Sequence, residues 1–213
     1  MKVGTDGVLL GAWAQGGRRV LDVGTGTGVV ALMMAQRFPE ARVTAIDVDE
    51  GAMQQAMENV SASPFKDRVE VLHASVQEYS RHPSPLTSLP SFDAVVSNPP
   101  YFIDALSAPD RQRHIARHAD TLTYAELMTA AWRLLKDDGE LSVIVPFDYR
   151  QRMEDEATFC GFFPSRVCAF RTKAGKAPKR FLLAFRKHPY SCERTEMTLG
   201  DELYRTLTQD FYL

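Results

Sequence analysis

Residues 19–37 read RVLDVGTGTGVVALMMAQR. The apolar segment Arg19–Val23 is a predicted strand, and the segment Val29–Arg37 is a predicted helix. Between them, three glycines allow the backbone to turn tightly and to pass close to a ligand, and the helix directs its N-terminus toward that ligand. The D-x-G-x-G-x-G spacing is neither a phosphate-binding P-loop nor the G-x-G-x-x-G of dinucleotide sites. The stretch predicts an α/β fold with a ligand site where its first strand ends.

A second and a third predicted strand also end in residues suited to ligand binding. Arg42–Ile46 runs into Asp47, which stands about 20 residues after the glycines, where an acid suits the two hydroxyls of a ribose. Asp49 is predicted to cap the helix that follows. The third strand ends at Ala74-Ser75-Val76, a natural place for contacts to an adenine ring. These strand ends therefore predict contacts to a ribose and to an adenine.

The segment Ser97–Phe102 reads SNPPYF and follows Phe92–Val96, an apolar run typical of a buried strand. Its two prolines donate no backbone hydrogen bond and stiffen the chain, so the strand is predicted to end here. The Asn98 amide can accept and donate hydrogen bonds, and the Tyr101 ring can stack on a nucleobase. An ordinary Asn-Pro turn is the alternative interpretation of this segment taken alone.

Helical and extended segments alternate along the chain, which predicts a doubly wound, mostly parallel α/β sheet. Phe162–Arg171 and Arg180–Lys187 are predicted to form an antiparallel hairpin that closes a seven-stranded sheet. In this topology the first and fourth strands bring Gly24–Gly28 beside Asn98. The sequence contains no internal repeat and no domain boundary, so residues 1–213 are predicted to form one domain.

Local signals predict further details of the elements. Thr5 or Asp6 is expected to cap the first helix. Asp137-Asp138-Gly139 is a predicted turn before a fifth strand, Glu140–Pro146. The segment Ile103–Asp120 has no clear period and is either a lid or binding loop or a disordered linker.

The net charge of −2 over 213 residues argues against a surface that is basic overall. The basic residues are unevenly placed, because Ser165–Tyr190 contains eight Lys or Arg and no Asp or Glu. The rest of the chain keeps 17 of the 25 basic residues and all 27 acidic residues. The basic stretch indicates either a local basic face or a solvated hairpin.

Cysteine usage and hydropathy restrict the compartment. Cys160, Cys168 and Cys192 form no CxxC pair, which fits free thiols in a reducing compartment and provides no zinc signal. No apolar run is as long as a membrane span, and no signal peptide opens the chain. We expect a cytoplasmic monomer without a metal, a membrane or an obligate protein partner.

The glycine motif in Val20–Gly28, the acid Asp47 and the Asn98-Pro99-Pro100-Tyr101 turn together resemble class I S-adenosylmethionine-dependent methyltransferases, which have a Rossmann-like fold. The resemblance extends to the chain ends. Met1–Trp13 and Leu207–Leu213 are similar to the corresponding segments of the bacterial tRNA1(Val) (adenine-N6)-methyltransferases. The resemblance implies methylation of the exocyclic amine of an adenine beside the anticodon of a valine tRNA.

The resemblance also implies roles for individual residues. Asn98 and the Pro99 carbonyl would accept hydrogen bonds from the adenine amine, with Pro100 shaping the turn and Tyr101 stacking on the base. The cofactor would contact residues of the first helix, the glycine motif and the next two strand ends: Thr5, Asp6, Asp22, Gly24, Thr25, Gly26, Gly28, Asp47, Val48, Ser75, Val76 and Asn98. The tRNA phosphates would contact basic residues of two loops, which position RNA without reading its sequence: Arg111, Arg113, Arg117, Lys173, Lys176, Lys179 and Arg180.

Two departures from the family pattern bear on substrate and cofactor recognition. Relatives carry a basic leader before the Met1–Asp6 segment, and we expect that a part of RNA recognition belongs to it. An Asp is usual where Ser75 stands, so we expect recognition of the adenine amine of the cofactor either to be weaker or to use backbone groups.

Other functions share parts of the pattern. The Asn-Pro-Pro-Tyr turn also serves methyltransferases of a glutamine side chain in release factors, which carry a helical domain before the core. The rRNA guanine-N2 methyltransferases usually have Phe in place of Tyr101. A cofactor-binding protein without catalysis and a nicotinamide-dependent oxidoreductase are further alternatives, disfavoured by the Asn98 turn and, for the second, by the glycine spacing.

Overall fold

One sheet of eight strands extends through the described chain. The structure, a computed structural model, describes residues 4–81, 91–100 and 122–211. The strands are β1 (Arg19–Val23), β2 (Arg42–Asp47), β3 (Val69–His73), β4 (Phe92–Ser97), β5 (Leu135–Pro146), β6 (Phe163–Arg171), β7 (Arg180–Arg186) and β8 (Glu193–Thr198). Their order across the sheet is β3-β2-β1-β4-β5-β7-β6-β8.

Helices connect most of these strands. Within the described residues they are α1 (Thr5–Trp13), α2 (Val29–Arg37), α3 (Glu50–Ser61), α4 (Val76–Tyr79), α5 (Tyr124–Leu134), α6 (Arg150–Phe159) and α7 (Glu202–Thr208), with a 3-10 turn at Phe147–Tyr149. The prediction that Thr5 or Asp6 caps α1 is wrong. Gly4 occupies the N-cap position, and both residues lie inside the first turn of the helix.

All strands except β7 run in the same direction. The predicted α/β fold and its antiparallel hairpin, β6–β7, are confirmed. The predicted number of seven strands is wrong, because β8 adds a further strand in parallel to β6. The sequence of β8, ERTEMT, buries only Met197. An edge strand that is almost entirely polar shows no alternating hydrophobic pattern, so the sequence conceals it.

The predicted turn at Asp137-Asp138-Gly139 is also wrong, since these residues belong to β5. The pairing of β4 with β5 changes register between Phe92 and Ala94. The additional residues of β5 form a bulge beside Asp93, whose carboxylate pairs with the Lys136 ammonium. Asp and Gly are typical of turns, and glycine is also common in bulges, where the strand bends without reversing its direction.

Helices cover both faces of the sheet. Val20 and Leu21 are fully buried on opposite faces, Val20 in a cluster with α1 and α2 and Leu21 in a cluster with α5 and α6. When both faces of a parallel sheet are covered by helices, ligands bind at the border of the sheet where the carboxyl ends of the parallel strands lie. We call this the carboxyl edge and the opposite one the amino edge. In the described ranges, no helix combines the length and the apolar character that crossing a bilayer requires.

Candidate active site

The glycine loop, Gly24–Gly28, begins directly at the carboxyl end of β1. Gly24, Gly26 and Gly28 have φ angles of 70°, 57° and 81°, in the left-handed region that favours glycine. A Cβ atom at Gly24 would meet no other atom within 4 Å. Glycine is therefore required there by the backbone conformation, and the space above Gly24 is open to a ligand.

Asp22 holds the glycine loop from below. It is 1% exposed, and one of its carboxylate oxygens accepts hydrogen bonds from Thr25 Oγ1 (2.6 Å) and from the backbone N–H of Ala31 (3.1 Å). Burial raises the pKa of Asp22 to about 7; the charge of Asp47 adds to the rise, and the two hydrogen bonds oppose it. Asp22 therefore positions the loop through Thr25. Its own contact with the methionine part of the cofactor stays a prediction.

We expect the stability of the ligand-free protein to depend on the protonation of Asp22. Because its pKa is raised from 3.8 to about 7, the folded chain holds a proton that the unfolded chain has already released. The stabilisation is complete below about pH 4 and is lost as the pH rises to about 7. Denaturant unfolding at a series of pH values should show this decrease in the wild type and a weaker one in Asp22→Asn, which cannot titrate. Parallel pH profiles for the two proteins would contradict the assignment.

Asp47, at the end of β2, supports the same loop from the side. One of its carboxylate oxygens accepts the Gly26 N–H (2.8 Å), and the other accepts the Asp49 N–H (2.9 Å). Asp49 caps α3 by accepting the Ala52 N–H at 2.6 Å, as predicted. The next residue after Asp47, Val48, is 52% exposed. The end of β2 thus presents carboxylate acceptors and an accessible apolar side chain side by side.

The residues after β3 are engaged within the chain. The Ser75 hydroxyl donates to Glu78 Oε2 at 3.0 Å and accepts the Glu78 N–H at 3.2 Å, so that it caps the short helix α4. Val76 is 3% exposed and belongs to the hydrophobic core. The predicted adenine contacts of Ser75 and Val76 stay predictions. Val48, at the end of β2, offers an apolar side chain that a ligand can reach.

The acceptor turn, Asn98–Pro100, lies next to the glycine loop. β1 and β4 are parallel neighbours, with Val23 paired to Ser97, so Gly24 and Asn98 follow paired residues at the same edge. The predicted juxtaposition is confirmed. Asn98 is half-buried, Pro99 is buried and Pro100 is exposed, whereas Tyr101 lies outside the described residues.

Sequence reasoning missed Ser97 as a residue of the site. Its side chain is fully buried, and its hydroxyl donates to the backbone carbonyl oxygen of Val23 at 2.9 Å. This bond joins the last residue of β1 to the last residue of β4. A serine that ends an otherwise apolar strand was the available signal, because a buried hydroxyl needs a partner. Ser97 therefore fixes the acceptor turn relative to the glycine loop.

We expect Ser97→Ala to lower both the stability and the rate of transfer. The change leaves a buried carbonyl with one partner fewer, which costs about 1–3 kcal/mol of unfolding free energy. Misalignment of the two loops should reduce kcat about tenfold. Ser142→Ala is the matched control, because its buried hydroxyl bonds Glu140 and not a loop. Denaturant unfolding and steady-state kinetics test both variants, and an equal kcat in the two would contradict a positioning role.

The first helix is joined to the same edge by an ion pair. Asp6 Oδ2 accepts a hydrogen bond from Arg180 Nε at 2.8 Å, and Arg180 pairs with Pro146 where β7 begins. Thr5 is exposed beside it. The structure thus places Thr5 and Asp6 near the carboxyl end of β5. Their contact with the cofactor stays a prediction.

Five of the eight basic residues of Ser165–Tyr190 form ion pairs with acidic residues of the same chain. Arg166 and Arg186 both pair with the buried Glu140, and Arg171, Arg180 and Lys187 pair with Glu196, Asp6 and Asp137. The remaining lysines are exposed in the connection from β6 to β7: Lys173, Lys176 and Lys179. We call Lys173–Lys179 the lysine turn. Because β6 runs parallel to β1, this turn lies at the carboxyl edge. Arg111, Arg113 and Arg117 lie outside the described residues.

The family model named methyltransferase small domain matches residues 4–161. A tRNA1(Val) (adenine(37)-N6)-methyltransferase of Bacteroides thetaiotaomicron is 46% identical over 222 residues, which cover 100% of this chain and 91% of that relative. The chain belongs to this methyltransferase family. Relatives of the same name from Phocaeicola vulgatus and Histophilus somni are 46% and 37% identical over the same shares.

Solved methyltransferase structures have the same fold. A predicted O-methyltransferase of Agrobacterium tumefaciens superposes with a TM-score of 0.70 at 20% identity, and 96% of each chain is covered. TrmN from Thermus thermophilus superposes with a TM-score of 0.60 at 24% identity, covering 85% of this chain and 47% of that one. The family model and these solved structures agree on a methyltransferase fold. In the described residues, no three His, Cys, Asp or Glu side chains cluster as metal ligands.

Proposed function

We propose that this protein transfers a methyl group from S-adenosylmethionine to the exocyclic N6 of adenine 37 in tRNA1(Val), with release of S-adenosylhomocysteine and of one N6 proton to solvent. The observation that carries the proposal is the pairing of the glycine loop with the acceptor turn on neighbouring strands, in a chain whose whole length matches relatives of that name. In this proposal the chain works as one domain, in the cytoplasm, as a monomer and without a metal.

The residues at the ends of β1 and β2 fit the cofactor. The open space over Gly24 admits the methionine part close to the backbone. In this proposal the Asp47 carboxylate, which already accepts the Gly26 N–H, also accepts hydrogen bonds from ribose hydroxyls, and the exposed Val48 contacts the adenine. S-adenosylmethionine, when bound, supplies an electrophilic methyl group on its sulfonium. The protein does not need to create that reactivity.

The acceptor turn acts on the adenine amine, which is the less reactive of the two reactants. The lone pair of an exocyclic adenine nitrogen is delocalised into the ring, which makes it a poor nucleophile. Hydrogen bonds from N6–H to the Asn98 side-chain oxygen and to the Pro99 carbonyl favour a more tetrahedral nitrogen and fix its approach. In a transfer between two bound groups, fixing their relative orientation makes the main contribution to the rate. The target base has to leave its stack to reach the turn.

The proposal assigns RNA contact to the carboxyl edge. Lys173, Lys176 and Lys179 are exposed there, which supports a role in neutralising phosphates. Arg180 is engaged with Asp6, so it supports the first helix as well as being a candidate for RNA contact.

One assay tests the proposed function. The purified protein is given S-adenosylmethionine with a labelled methyl group together with bulk tRNA, rRNA or release factor, and the products are digested to nucleosides or amino acids. We expect N6-methyladenosine from the tRNA arm, lost when adenine 37 of a tRNA1(Val) transcript is replaced by guanine. Methylglutamine from the release factor, or N2-methylguanosine from rRNA, as the product would overturn the proposal.

A further inference from the structure

Exposed aromatic side chains are few in the described part of the chain. They are Phe147, Phe159, Phe163 and Tyr190, with exposed fractions of 49%, 90%, 42% and 57%. The last three lie toward the amino edge, because Phe163 begins β6 opposite Arg186, the last residue of β7. Phe147 directly follows β5 and therefore lies at the carboxyl edge. It is the exposed aromatic ring that shares an edge with the proposed active site.

Phe147 follows the strand next to the acceptor turn. β4 and β5 are parallel neighbours, with Ser97 paired to Val143, and neighbouring strands lie about 5 Å apart. Phe147 stands four residues beyond Val143, so an RNA strand that delivers a base to Asn98 can extend past the end of β5.

The ring of Phe147 is held in place although half of it is exposed. Its centroid lies 5.9 Å from that of the buried Phe181, with an angle of 36° between the planes. The Arg150 guanidinium lies 4.4 Å from the Phe181 centroid. The backbone N–H of Phe147 donates to the carbonyl oxygen of Lys179 at 3.2 Å. A ring fixed in this way loses little side-chain freedom when a base stacks on it.

The charges around Phe147 suit a polyanion. The hydrogen bond to Lys179 joins Phe147 to the lysine turn, which contributes three exposed ammonium groups. Asp148 is the exposed acid beside the ring, and Arg150 pairs with Glu154 at 3.0 Å. The net charge of the exposed side chains around Phe147 is therefore positive. An aromatic platform beside a row of cations is the combination that binds single-stranded nucleic acid.

We propose that Phe147 stacks on a nucleobase of the RNA strand that flanks the methylated adenine, while the lysine turn holds the phosphates of that strand. The proposal rests on the proposed function and adds a subsite to it. Removal of the aromatic face should weaken RNA binding about 5- to 150-fold. Neutralisation of three phosphate contacts on a single strand should reduce the salt dependence of binding by about two powers of the salt concentration.

The experiment measures the Kd of an anticodon stem-loop RNA at several salt concentrations. Phe147→Ala should raise the Kd, and Phe147→Trp, which keeps an aromatic face, should keep the wild-type Kd. Phe147→Leu should raise the Kd as Phe147→Ala does, because leucine has no π face. The salt slope should stay unchanged in Phe147→Ala and fall in Lys173→Gln/Lys176→Gln/Lys179→Gln. Phe159→Ala, which removes a more exposed ring at the amino edge, should bind as the wild type. Calorimetry with S-adenosylmethionine checks that each variant keeps a folded cofactor site.

An unchanged Kd in Phe147→Ala, or a Phe147→Leu variant that binds as tightly as Phe147→Trp, would overturn the subsite. These readouts need no methyl transfer, so they separate the two proposals. If the wild type binds RNA through Phe147 but forms no N6-methyladenosine, the proposed function fails and the subsite remains. If tRNA is methylated while Phe147→Ala leaves the Kd unchanged, the subsite fails alone.

Discussion

We expect Asn98→Ala to reduce methyl transfer sharply and to change the affinity for S-adenosylmethionine only slightly, because the other predicted cofactor contacts are kept. The alanine removes the side-chain acceptor that would orient the adenine amine, while the glycine loop and Asp47 keep their own hydrogen bonds. Since the nitrogen lone pair then remains delocalised and poorly aimed, we expect the rate to fall at least about 100-fold. Ser97 and its bond to Val23 are untouched, so the strand ends stay joined.

Single-turnover kinetics with labelled S-adenosylmethionine and a tRNA1(Val) transcript measures this loss. Asn98→Asp is the informative companion, because it keeps an acceptor oxygen at the same position and should retain part of the rate. Calorimetry on both variants separates a catalytic defect from a folding defect. A wild-type rate in Asn98→Ala would remove Asn98 from the reaction.

Asp47→Ala weakens the binding of S-adenosylmethionine about 10- to 100-fold. Two effects contribute to this loss. The ribose loses a charged acceptor, and hydrogen bonds to charged groups are worth about 1.5–3 kcal/mol. The Gly26 N–H also loses its partner, so the glycine loop is less well held before the ligand arrives. Asp47→Asn keeps an acceptor oxygen, so its affinity for S-adenosylmethionine should lie between those of the wild type and Asp47→Ala.

Asp49→Ala is the matched control for this prediction. Asp49 is an acid on the same connection, but its carboxylate caps α3 and does not bond the glycine loop. Loss of an N-cap should cost about 1 kcal/mol of stability. Calorimetry should show an unchanged affinity for S-adenosylmethionine in Asp49→Ala. Equal affinities in the wild type and Asp47→Ala would move the ribose contact elsewhere.

Local patterns were sufficient for the elements that carry the site. β1 and α2 have the bounds predicted from the apolar segments around the glycines, and Asp49 caps the helix after β2. Each depends on residues close together in the chain. The neighbourhood of Gly24 and Asn98 followed from strand order alone, since parallel strands end at one edge.

The features that sequence reasoning missed depend on residues far apart in the chain. The polar segment of β8 is a strand because its backbone pairs with that of β6. The bulge of β5 depends on Asp93 of the neighbouring strand. Ion pairs with Glu140, Glu196, Asp6 and Asp137 engage five of the eight basic residues of Ser165–Tyr190, whose composition allowed either a local basic face or a solvated hairpin. Composition counts charges and does not tell which of them have partners.

Hydrogen bonds of three side chains hold the glycine loop in its conformation. Asp22 holds it through Thr25, Asp47 holds Gly26, and Asn59 donates to the carbonyl oxygen of Thr27 at 2.8 Å. The conformational entropy of ordering this loop is therefore lost when the chain folds and not when the cofactor binds. A substitution that loosens one of these anchors would weaken cofactor affinity without removing any atom that touches the cofactor.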